Sequence, residues 1–265
     1  MTAIDTIVGH AANPSTTYTT VTMNTGDSAS VRSFPDTSMA RLERITRGGA
    51  TSGAARVFSP LMHDGIRGIT FTSSQNPAVY AMPQYAPQRV YPQDSLTIQV
   101  TGGTAETDLA ALTIYYDSLP GSDARLHNWG DIQSLIQYIK PVEVDVTNSA
   151  TIGAWTDTVI TTTENILKAN RDYAVLGYIT DVAQSVVGIK GSETGNLRIC
   201  GPGTTLTEDT SNYFIDVSMR EGTPHIPVIN SANAPSIFVS TADVVASSTP
   251  KVQLILALLS SNLPS

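Results

Sequence analysis

The chain has 265 residues, a net charge of -8 and a pI near 4.8, with 14% charged residues against the usual ~25% and 41% hydrophobic residues. That length holds one large or two ordinary domains, and the acidity disfavours a nucleic-acid partner, whose phosphates call for a basic face. One cysteine, Cys200, rules out an intrachain disulfide and a cysteine zinc cluster.

Threonine is abundant, and it favours pleated strands over helices, so an all-β fold is expected. The first 16 residues, small and polar around Asn13-Pro14, predict an N-terminal arm. Strands follow at Tyr18 to Met23 and Ala29 to Val31. Met39 to Thr46 reads as strand or helix, stopped by Gly48-Gly49, and Ala54 to Phe58 resumes extended chain. From Gln75 to Pro92, four prolines interleave with Tyr80, Tyr85 and Tyr91, which predicts a loop or edge segment with a contact surface. Leu96 to Val100 and Leu109 to Tyr116, separated by Gly102-Gly103, predict a hairpin.

Ile132, Leu135, Ile136 and Ile139 fall at i, i+3, i+4 and i+7, predicting a helix over 131–139 that Pro141 ends. Val142 to Val146 alternates as a half-buried strand, and Tyr173 to Thr180 is apolar enough for a strand covered on both faces. Shorter strands are expected at 186–189, 196–199 and 213–217, with turns at 191–195 and 201–203. Ile237 to Leu259 repeats the layout of the first hairpin. The architecture predicted is two β-sandwich or jelly-roll halves in tandem: an arm (1–16), a first sandwich (17–120), a connector with one short helix (121–140) and a second sandwich (141–265).

Catalytic signatures are missing. His10, His63, His127 and His225 sit in no hydrolase or metal motif, and no cofactor or metal is expected. Glu143 and Asp145 share the solvent face of their strand, and Glu208-Asp209 lacks calcium-loop spacing. Arg41, Arg44, Arg47 and Arg56 lie close in sequence and read as a local basic patch for nucleic acid or an acidic partner, or more simply as residues that decorate a strand face or make subunit salt bridges. No apolar span is long enough for a transmembrane helix, so no membrane association is expected. The opening residues lack the basic and apolar regions of a secretory leader.

Tyr91 to Leu96, Leu167 to Tyr173 and Gly195 to Gly203 give the chain a further character: over most of its length it resembles bacteriophage virion structural proteins. The resemblance implies a β-sandwich building block of the capsid, decoration or fibre kind, without catalysis, made in the host cytoplasm and residing in the virion. Its partners are then copies of itself, with a trimer favoured, and other virion proteins. The chain is short for a tailed-phage shell subunit and lacks that fold's long charged helix, which favours a jelly-roll shell or accessory protein. The alternative is a carbohydrate- or receptor-binding module of a phage fibre or tail, engaging a glycan through Tyr80, Tyr85, Tyr91 or Trp129. Candidate subunit or ligand contacts are those four aromatics with Arg41, Arg44 and Arg47.

Overall fold

The computed structural model describes residues 1–62, 64–73, 77–81, 88–161, 167–204 and 210–263, with backbone alone at 64–66 and 73. About half of the chain is strand, in antiparallel sheets. The strands up to Tyr116 are β1 (Ala3–Ala12), β2 (Thr19–Thr20), β3 (Thr22–Met23), β4 (Ala40–Gly48), β5 (Gly53–Ser59), β6 (Asp64–Ser73), β7 (Ala78–Ala81), β8 (Gln88–Val90), β9 (Thr97–Thr101) and β10 (Thr107–Tyr116). They form one sheet in the order β3-β1-β10-β4-β7, with β8 also on β4, and a second in the order β2-β9-β5-β6.

After residue 120 the elements are β11 (Leu126–His127), helix α1 (Trp129–Ile132), β12 (Ile136–Asp145), β13 (Thr156–Val159), β14 (Asp172–Thr180), β15 (Gln184–Gly191), β16 (Arg198–Gly203), helix α2 (Tyr213–Glu221), β17 (Ile226–Asn230), β18 (Ile237–Ala242) and β19 (Lys251–Leu259). Their sheets run β11-β17-β14-β19-β12 and β13-β18-β15-β16. Set against the first half, the orders coincide: β12-β19-β14-β17 repeats β1-β10-β4 with β7 and β8, and β13-β18-β15-β16 repeats β2-β9-β5-β6. Two antiparallel sheets facing each other with this long-range pairing make a jelly roll, and the chain contains two, with six and four strands in the first and five and four in the second. In both, the strand beside the last one carries a β-bulge against it, at Glu43 in β4 and at Leu176 in β14.

Several expectations change. The two predicted hairpins are arches: β9 and β10 lie in opposite sheets of the first sandwich, and β18 and β19 in opposite sheets of the second, so each Gly- or Ser-rich turn carries the chain across a core. The first 16 residues are not an arm, because β1 is hydrogen-bonded to β10 on one side and β3 on the other, and its alternate residues enter two cores. The helix over 131–139 shrinks to α1 and a 3-10 turn at Gln133–Leu135. From Ile136 the chain is an edge strand, where Pro141 loses no ladder bond on the open side. Residues 213–217 belong to α2: Tyr213, Phe214 and Val217 share its buried face, and Gly222 ends it with φ 64°. Gly201-Pro202-Gly203, expected as a turn, is the end of edge strand β16, and Gly201 leaves room for the Tyr213 ring.

The first sandwich is filled by Leu42, Ile45, Val57, Ile98, Val100, Leu112, Ile114 and Tyr116, among others, and the second by Val144, Val175, Tyr178, Ile189, Val228, Leu254 and Leu256 with theirs. A third cluster joins the halves: Val8, Leu109 and Ala111 pack against Val186, Cys200 and Ala242. The β1–β10–β4 sheet of the first half therefore lies with its outer face on the β13–β18–β15–β16 sheet of the second, giving four stacked sheets.

Candidate functional site

The chemistry-bearing residues concentrate in this seam between the two jelly rolls. β4 reaches it because of its bulge. Arg41 pairs with Tyr115 and Arg44 with Thr113, so the extra residue Glu43 joins both on the seam side while Leu42 and Ile45 stay in the first core. The second half supplies His225, at the entrance to β17, and Glu221 of α2.

Glu43 is 3% exposed and His225 2%. His225 Nε2 lies 2.8 Å and 2.9 Å from the two Glu43 carboxylate oxygens, and its Nδ1 lies 3.0 Å from the Thr223 carbonyl. Arg41 Nη2 donates to Glu43 Oε1 at 3.1 Å and to Thr223 Oγ1 at 3.0 Å, and Arg44 Nη1 stands 3.5 Å from Glu43 Oε2. The His225 ring stacks on Tyr115 at 5.1 Å, and the Arg41 guanidinium lies 4.5 Å from the centre of that same ring. Burial by itself pushes the Glu43 carboxyl up, but His225, Arg44 and Arg41 outweigh it and hold the group down at about 2. Glu43 is thus an anion shared by Arg41 and Arg44 of the first half and the His225 ring of the second.

A second polar cluster lies along β1. Asp27 Oδ2 accepts from the Val8 amide at 2.8 Å and from Trp155 Nε1 at 2.6 Å, joining the halves through one carboxylate. Arg198 sits 4.5 Å over the Trp155 ring and donates to Asp157 at 2.9 Å. Asn24 Nδ2 donates to the Gly153 carbonyl at 2.6 Å, and the Cys200 amide donates to Thr6 Oγ1 at 3.2 Å. Gly153 has φ 77°, and an added Cβ would meet the His10 side chain at 2.8 Å, so glycine is needed for the approach. Burial raises the Cys200 thiol far above its usual range, as expected of a packing residue.

The basic patch read from the sequence does not exist as a surface. Arg41 and Arg44 meet around Glu43 in the seam, at 8% and 3% exposure, and Arg47 points into the first sandwich with 0% exposure. There Arg47 Nη2 donates to Asp108 Oδ1 at 3.0 Å and to the Thr101 carbonyl at 3.2 Å. Burial raises Asp108 to about 6 despite Arg47, and neighbouring Glu106 adds to the rise. The aromatics do not converge either. Tyr80 is exposed on β7 and stacks on Phe71 at 5.9 Å, while Tyr91 is half-buried below the Arg89 guanidinium. Trp129 opens α1, its amide donating to Ser218 Oγ, and its ring packs on the second core. Tyr85, His63, Glu208 and Asp209 lie outside the described residues. Glu143 and Asp145 occupy a solvent face beside Lys251, at 2.9 Å and 3.6 Å. Among the described residues no three His, Cys, Asp or Glu side chains come together as metal ligands.

No protein-family model matches the chain, and no curated protein matches it. Among solved structures it is similar to the PBSX exported protein XepA, with 9% identity, 97% of this chain and 86% of that chain covered, and a TM-score of 0.28. It is also similar to a T=1 Penaeus vannamei nodavirus, with 13% identity, coverage of 98% and 99%, and a TM-score of 0.23. Scores of that size leave the fold to be argued from the strand order above.

Proposed function

We propose that the chain is a structural protein of a bacteriophage virion, a self-assembling capsid or capsid-decorating component without catalysis. The observation that carries this reading is the seam. Two jelly rolls of one strand order are held face to face by buried charged and polar contacts and an apolar cluster, so that four sheets stack into one block. The buried charged groups of the seam are engaged with one another, which suits a load-carrying unit better than a reaction centre. Assembly proceeds through the exposed outer sheets and loops, with a trimer favoured. The test is twofold: sedimentation of the purified chain across a concentration series, and cryo-EM with mass spectrometry of particles. A chain that stays monomeric at high concentration and is absent from particles overturns the proposal.

A further inference from the structure

The first sandwich has one sheet face turned away from the seam, the outer side of β2-β9-β5-β6. Ala55, Val57, Ile98 and Val100 enter the core, so alternation directs Arg56, Phe58, Thr97 and Gln99 outward, and all four are half-buried. Thr20 pairs opposite Gln99, and Thr70 opposite Arg56, so hydroxyls continue the row on both sides. The Arg56 guanidinium lies 3.9 Å from the centre of the Tyr18 ring and 5.3 Å from that of Phe58. Its Nε donates to Gln99 Oε1 at 2.7 Å, and Gln99 Nε2 donates to Thr20 Oγ1 at 3.0 Å. Among the described residues that Nε bond is the hydrogen bond the Arg56 side chain makes. The stacking therefore fixes the guanidinium plane while its two terminal amino groups keep donors for a ligand.

We infer that this face binds an acidic saccharide. Arg56 is the one charged residue among those named, in a chain of net charge -8, so it selects a carboxylate or sulfate and can hold it by two parallel N–H···O bonds. Phe58, beside the stacked Tyr18–Arg56 pair, offers a sugar ring an apolar contact, and the hydroxyls of Thr20, Thr97 and Thr70 can meet its own. These residues differ from the aromatics singled out by sequence, and the inference does not rest on the assembly reading.

The test is calorimetric titration of the full chain with oligoglucuronate and, in parallel, with neutral oligoglucose of equal length. Oligoglucuronate is expected to bind, more weakly as salt is raised. Arg56→Ala is expected to weaken it at least tenfold and Arg56→Lys several-fold, because lysine keeps the charge but not the fork; Phe58→Ala falls between. Circular dichroism melts of the two Arg56 variants that match wild type separate lost binding from lost folding. No binding at millimolar sugar, equal binding of the neutral sugar, undiminished binding by Arg56→Ala, or equal binding of a glutamate-rich peptide each overturns the inference. Concentration-dependent self-association that Arg56→Ala abolishes, without sugar binding, also overturns it and makes the face a contact between copies.

Discussion

The two jelly rolls repeat one strand order, yet their equivalent outer faces differ in chemistry. On β1 the residues facing outward from the first core, Ile4, Thr6 and Val8, are buried against the second half. On β12, the equivalent strand, the outward positions Ile139, Pro141, Glu143 and Asp145 are exposed, beside Lys251 of β19. The sheets opposite them show the same contrast. Small residues such as Gly188, Cys200, Ser240 and Ala242 occur on the sheet that meets the seam, against Arg56, Phe58, Gln99 and threonines on the free one. The strand order sets the fold, and the outward residues alone decide which face closes on a neighbour and which meets solvent.

The sharpest way to break that comparison is within a core, where no face is available to water. Asp108→Ala leaves Arg47 buried without its anion, and breaking a fully buried pair costs about 3–5 kcal/mol. We expect the first sandwich to unfold at markedly lower denaturant while the second keeps its transition, read by amide exchange on β1 to β10 against β12 to β19. Next comes the seam. Glu43→Gln removes the anion shared by Arg41, Arg44 and the His225 ring, but the halves can part and let water in, so the cost is smaller, about 2–3 kcal/mol. The expected signature is separation of one melting transition into two. Trp155→Phe follows, at about 1–2 kcal/mol, since Asp27 keeps its Val8 amide bond.

Acid and base should act on different parts. Glu43 is held below its unfolded value of 4.5, so its contribution is present above that pH and is lost as pH falls toward about 2. Asp108 is raised from 3.8 to about 6, so its contribution is full below 3.8 and is lost as pH rises through about 6. Exchange rates followed across pH should therefore show the seam loosening on the acid side and the first sandwich loosening on the alkaline side. Glu43→Gln should erase the acid-side change alone, and an acid transition that persists unchanged in that variant refutes the assignment.

The sequence shows strand content clearly, because alternation in Val142 to Val146 and the apolar run of Tyr173 to Thr180 follow from burial of one face or two. The seam was not legible. A strand covered on both faces ordinarily reads as continuously apolar. β4 is buried throughout, yet it carries Arg41, Glu43, Arg44 and Arg47, which look like a solvent face until the bulge and the partner half are known. His225 sits after Thr223-Pro224 in what reads as an ordinary loop, and its partner Glu43 lies 182 residues away. The arches misread as hairpins have the same origin: a glycine-rich turn between two apolar runs fixes reversal of the chain, not the sheet to which each run belongs.

The smallest effect tests the free side of the comparison. Glu143 and Asp145 flank Lys251 with all three side chains at least half exposed, and exposed ion pairs contribute about 0–1 kcal/mol. Glu143→Gln should leave stability within about 0.5 kcal/mol of wild type and leave the single melting transition intact. The same glutamate-to-glutamine change at Glu43 divides that transition, although both residues lie on strands flanking the last strand of their jelly rolls. If Glu143→Gln proves as disruptive as Glu43→Gln, the outer face of β12 is not a free surface, and the contrast between the closed and open sides of the repeat fails with it.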